Sequence, residues 1–94
     1  MTFARQSQVP KKPDLLLYYN PWCPYCQKVL IHLEKMHKTL PMKNIQNDPE
    51  GIEDLMSIGG KLQVPCLIID REALYESKDI INWISKNKQH LETN

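Results

Sequence analysis

Cys23-Pro24-Tyr25-Cys26 places two thiols at a spacing that suits three kinds of chemistry: a metal site, a structural disulfide or a redox couple. A zinc site needs two further ligands. The candidates are Cys66, His32, His37 and His90, and none of them forms a second paired motif. A structural disulfide between Cys23 and Cys26 closes a very small loop and gains little stability. A redox couple fits best if the pair lies where a strand passes into a helix.

The surrounding residues supply that setting. Asp14-Leu15-Leu16-Leu17-Tyr18-Tyr19 is a continuous apolar run, as expected of a strand buried on both faces. Asn20-Pro21-Trp22 breaks it. From Tyr25 the period changes: Cys26, Val29, Leu30, Leu33 and Met36 share one helical face, and Gln27, Lys28, Glu34 and Lys35 fall largely on the other. Pro41 limits that helix. Residues 42–46 read as a weak second strand. Asp48 as N-cap and Pro49 at the first helical position then open a short helix with Ile52, Leu55, Met56 and Ile58 on its apolar side. Gly59-Gly60 ends it.

Residues 63–70 make the strongest strand pattern. A turn at 70–72 leads to a short return strand at 73–75, and Ser77 can cap a last helix with Ile80, Ile81 and Ile84 inward and Trp83 partly covered. The expected order is β-α-β-α-β-β-α, an α/β arrangement with a small mixed sheet flanked by helices. A right-handed crossover makes the first two strands parallel, and the tight turn makes the last two antiparallel. The expected organisation is an arm at 1–13, one domain at 14–90 and a tail at 91–94.

At a strand-to-helix junction Cys23 takes the helix start and Cys26 the first turn. Unpaired N–H groups and the positive end of the helix dipole favour a thiolate on the first cysteine. Pro24 is tolerated because its missing N–H has no partner there. Cys26 is near enough to resolve a mixed disulfide formed on Cys23.

Composition narrows the alternatives. The chain has 94 residues, 12 Lys and Arg against 11 Asp and Glu, a net charge of +1 and 41% hydrophobic residues. This suits one soluble domain and lacks the strongly basic footprint of a nucleic-acid binder. No run approaches the ~18 apolar residues of a membrane span, and the polar start offers no signal-peptide core. A cytoplasmic location is the default. Three cysteines, an odd number, argue against a fully paired disulfide scaffold.

Cys-Pro-Tyr-Cys after a buried strand, followed by Gly59-Gly60-Lys61-Leu62-Gln63-Val64-Pro65 before a strong strand, resembles the glutaredoxin family, which implies a thioredoxin-like α/β fold with a small four-stranded mixed sheet flanked by helices. The match runs from about Asp14 to about Lys88. It implies that Pro65 is cis and packs beside the active cysteines, and that Val64 offers its backbone to the cysteinyl part of glutathione. Tyr25 is expected to line the thiol groove. Tyr75-Glu76-Ser77 is similar to the turn by which the N-terminal domain of glutathione transferases holds the γ-glutamyl end, which assigns Glu76 and Ser77 to glutathione. A complete glutathione transferase is the least favoured reading, because no room remains for its helical second domain.

The pattern departs from the family in places. Asn20 stands where many glutaredoxins have Lys, with Lys61 a substitute cation. Trp22 is either an exposed platform for protein substrates or a partly buried wall. Cys66 reads as a small buried hydrophobe, with a regulatory thiol as the alternative; surface or packing roles are expected of His32, His37 and His90. The resemblance implies a glutathione-dependent thiol–disulfide oxidoreductase with Cys23 and Cys26 catalytic. Its partners would be glutathione as reductant, oxidised or glutathionylated proteins and, indirectly, glutathione reductase. No metal, nucleic acid or membrane is expected, and the chain is expected to be a monomer. Two other readings stand beside it: a glutathione-ligated iron–sulfur cluster carrier, and a reductant driven by thioredoxin reductase.

Overall fold

The computed structural model describes residues 12–93. The order is β1 (Leu15–Tyr19), α1 (Pro24–Met36), β2 (Lys38–Thr39), β3 (Met42–Asn44), α2 (Pro49–Gly59), β4 (Cys66–Ile69), β5 (Glu72–Tyr75), α3 (Ser77–Lys86) and β6 (Glu92–Thr93). Short 3-10 turns occupy Ile45–Asn47 and Lys88–His90. The main sheet has 4 strands in the order β3-β1-β4-β5, with β1 and β3 parallel and the other neighbours antiparallel. This is the expected thioredoxin-like α/β fold.

Alternation along β1 explains the two layers. Leu15 and Leu17 face α1 and α3, joining Val29, Leu33, Leu67, Ile80 and Ile84 in one core. Leu16 and Tyr18 point the other way, toward Leu55 of α2 with Cys66 and Ile68 of β4. Side chains of one strand therefore enter both cores, as a continuous apolar run requires. The β4–β5 turn places Asp70 and Arg71 at φ 49° and 72°, the conformation a two-residue hairpin needs at both positions. Asp70 is also tied to Asp14 by hydrogen bonds of 2.9 Å in each direction.

Several boundaries shift from those expected. The second strand stops at Asn44, whose side chain accepts the Gln46 N–H at 2.9 Å and starts a 3-10 turn instead. The strand expected over 63–70 begins only at Cys66, because Pro65 has no N–H to pair. On α2, Met56 and Ile58 are solvent-exposed, whereas Gly51 and Leu55 face the sheet. Met56 lies about 100° round the helix from Leu55. Ser77 is the first helical residue of α3 rather than its cap; Glu76 takes the cap position, at φ 71° and without a side-chain capping bond.

The stretch expected as a C-terminal tail packs onto the domain. Leu91 is buried in the α1–α3 core, and Glu92–Thr93 pair with Lys38–Thr39. Of the arm expected over 1–13, only Lys12 and Pro13 lie within the described residues. No helix among the described residues is long and apolar enough to cross a membrane.

Candidate active site

The sheet register builds the site. Tyr18, Cys66 and Tyr75 lie opposite one another in a row across β1, β4 and β5. Just beyond that row, the chain leaves β1 toward Cys23, enters β4 from Val64-Pro65 and leaves β5 at Glu76. Three loops separated in sequence therefore meet at one end of the sheet. Two of them run into helices, so the free N–H groups of α1 and α3 open at the same end.

Cys23 is the N-cap residue of α1, with Pro24 following at the first helical position. Its thiol faces the Val64 carbonyl at 3.9 Å, and the Val64-Pro65 peptide is cis. Burial alone would raise the Cys23 thiol. Hydrogen bonds from the Cys26 backbone, the Cys26 thiol and the Tyr25 backbone overcome it, and the net direction is downward. Cys26 goes the other way. It is completely buried on the inner face of α1, and its thiol is pushed up to about 12, chiefly by burial and further by Cys23, against an opposing hydrogen bond from the Asn20 N–H. One thiol is poised to ionise, while the other keeps its proton as long as its neighbour carries charge.

Beside Cys23 runs a groove of about 340 Å³ lined by Tyr25, Gln63, Val64, Pro65, Glu76 and Ser77. The five residues singled out for glutathione from sequence thus line one groove. Gln63 is the member that sequence reasoning missed; its Nε2 donates to Glu76 Oε2 at 3.2 Å and braces that carboxylate. Its place directly before Val64-Pro65 was the available signal. Tyr25 is 60% exposed and Trp22 80% exposed, so Trp22 is not a wall.

Other candidates lie outside this groove. Lys61 is drawn over the Tyr75 ring, with Nζ 4.4 Å from its centroid. Asn20 turns its side chain onto its own loop, where Oδ1 accepts the Trp22 N–H at 2.9 Å. Cys66 is completely buried on the α2 side of the sheet, opposite α1, and burial pushes its thiol up to about 11. His32 bonds Ser85 across α1 and α3 at 2.9 Å, His37 closes α1 in a left-handed conformation, and His90 lies in the last 3-10 turn. No group of three His, Cys, Asp or Glu among the described residues is arranged to hold a metal ion.

A family model described as the glutathione S-transferase N-terminal domain matches residues 22–87, a span that includes both thiols and the whole groove. The chain belongs to this family. Among solved structures, glutathione transferase Omega 3C from Trametes versicolor is similar at a TM-score of 0.68 and 27% identity, covering 94% of this chain and 38% of its own. A buckwheat glutaredoxin in complex with glutathione superposes at a TM-score of 0.61 and 15% identity, over 94% of this chain and 83% of its own. Protein disulfide-isomerase A5 of Bos taurus is 26% identical over 101 residues, covering 93% of this chain. The chain spans 38% of the transferase's length and 19% of the isomerase's. Glutaredoxin and transferase neighbours alike carry the thioredoxin-like fold found here.

Proposed function

We propose that this chain is a glutaredoxin-type oxidoreductase that uses glutathione to reduce protein–glutathione mixed disulfides and protein disulfides through Cys23 and Cys26. The observation that carries the reading is a lowered thiol at a helix start beside a groove lined by Tyr25, Val64, Pro65, Glu76 and Ser77. In this reading Glu76 receives the γ-glutamyl ammonium. Ser77 and the free N–H groups at the start of α3 receive its carboxylate. Val64 pairs its backbone with the cysteinyl unit, Pro65 packs beside the thiols, and the Tyr25 ring lies along the ligand.

On a glutathionylated protein, the Cys23 thiolate attacks the glutathione sulfur. The protein leaves as a thiolate and takes up a proton, and Cys23 carries glutathione. A second glutathione thiolate attacks that sulfur, releasing glutathione disulfide and restoring Cys23. On a protein disulfide, Cys23 forms a mixed disulfide and expels one substrate thiolate. Cys26 then loses its proton, attacks the Cys23 sulfur and expels the other. The resulting Cys23–Cys26 disulfide is returned to two thiols by two glutathione molecules.

A small mixed disulfide offered with glutathione and glutathione reductase, or with thioredoxin reductase, tests the reading. Turnover with the glutathione system is expected; turnover with thioredoxin reductase alone, or with neither, contradicts it. The inward-turned Asn20 side chain, which brings no cation to the ligand, favours the thioredoxin-reductase reading as second choice, and the same assay decides between them. Glu76→Gln is expected to raise KM for glutathione about tenfold, the worth of one charge-assisted hydrogen bond, with kcat within about twofold.

A further inference from the structure

Asn20 makes three hydrogen bonds around the two thiols. Its carbonyl accepts the Cys23 N–H at 3.0 Å, its Oδ1 accepts the Trp22 N–H at 2.9 Å, and its own N–H donates to Cys26 Sγ at 3.4 Å. Gln27, one turn into α1, closes the same loop by donating Nε2 to the Pro21 carbonyl at 2.8 Å. The side-chain bond is an Asx turn, which holds a short segment as a backbone turn would. It pins the Asn20 Cα and Cβ against the Pro21-Trp22 segment. The N–H that meets the buried Cys26 sulfur projects from that same Cα.

The geometry points to Asn20 as a positioning residue for the second half of the reaction: its side chain holds the backbone N–H that stabilises Cys26 as it loses its proton and attacks the mixed disulfide on Cys23. This rests on the dithiol reading proposed above and adds a division of labour to it. The first attack uses a thiolate whose own support comes from the Cys26 and Tyr25 backbone. The second uses a buried sulfur that meets one backbone N–H, that of Asn20. In the closing step Cys26 gives up its proton to solvent, its sulfur bonds to the Cys23 sulfur, and the bond from Cys23 to the departing thiolate breaks.

Mixing the reduced protein with one equivalent of 5,5′-dithiobis(2-nitrobenzoate), an aryl disulfide oxidant, resolves the two steps without glutathione. Attack by Cys23 releases one thionitrobenzoate, and closure by Cys26 releases a second. Asn20→Ala is expected to slow the second release about fivefold, the worth of one net hydrogen bond, while the first stays within about twofold. Asn20→Ser, whose hydroxyl can form the equivalent turn more weakly, is expected to recover much of the second rate. Equal slowing of both releases, no change in either, or loss without recovery in the serine variant overturns the assignment. Failure of glutathione turnover in the wild-type protein would bear on the proposed function and leave this two-step readout intact.

Discussion

Cys23 lies at the end of the sheet and Cys66 beneath its α2 face, and their thiols shift in opposite directions. Both lose solvent, and for both burial raises the thiol. Cys23 sits at the start of α1, where backbone N–H groups have no helical partner and turn toward the sulfur. Cys66 is the first residue of β4, between Tyr18 and Tyr75. The Tyr75 side chain, the Leu74 backbone and the Lys61 charge lower its thiol but fall short, and it stays at about 11. Reactivity here is thus decided by unspent backbone donors rather than by exposure alone.

The largest effect expected from that contrast is on turnover. Cys23→Ser removes the nucleophile and is expected to lower reduction of any disulfide by more than about 10³-fold, whereas Cys66→Ala leaves turnover within about twofold. Appreciable loss in the second variant would erase the distinction. Next is labelling. At pH 7 iodoacetamide is expected to modify Cys23 at least about a hundredfold faster than Cys66, since only thiolate reacts; peptide mass spectrometry reads both sites in one sample.

Stability gives smaller effects. A methyl group on Gly59 would run into the Tyr75 hydroxyl, which donates to the Lys61 carbonyl at 3.1 Å and ties the loop before β4 to β5. Gly59→Ala is expected to cost about 1–3 kcal/mol by overpacking, read from denaturant midpoints. The same burial of Cys66 bears on stability at alkaline pH. Below pH 9 the Cys66 thiol is protonated in both folded and unfolded chains. Between pH 9 and about 11 the unfolded thiol ionises first, so stability falls as pH rises. Cys66→Ala is expected to flatten that limb by on the order of 2 kcal/mol, after allowance for the cavity it leaves; an unchanged limb would mean that Cys66 is not the titrating thiol.

The order of the main elements could be read from sequence because apolar period and punctuation agreed. Leu15–Leu17 marked a doubly buried strand, the Cys26-Val29-Leu33 spacing a helix face, and Pro49 and Gly60 the ends of α2. The pairing of β2 with β6 could not be read, since two-residue strands have no period, and Leu91 stood alone beyond the last pattern. At the site, residue types pointed to Cys23, Cys26 and the Val64-Pro65 turn. The Gln63–Glu76 bond depends on how two separate loops meet, which no local pattern encodes. Ser77 had a cap's chemistry and was displaced from the cap by one position, because Glu76 takes a left-handed φ there.

In the proposed mechanism Cys23 alone exchanges glutathione, and Cys26 is needed only when a protein disulfide must be resolved. Cys26→Ser, assayed with glutathione and glutathione reductase on a glutathionylated peptide, tests it most directly. At least about half of the wild-type rate is expected to survive, while reduction of a protein disulfide by the same variant falls more than about tenfold. Loss of activity on the glutathionylated peptide would contradict it.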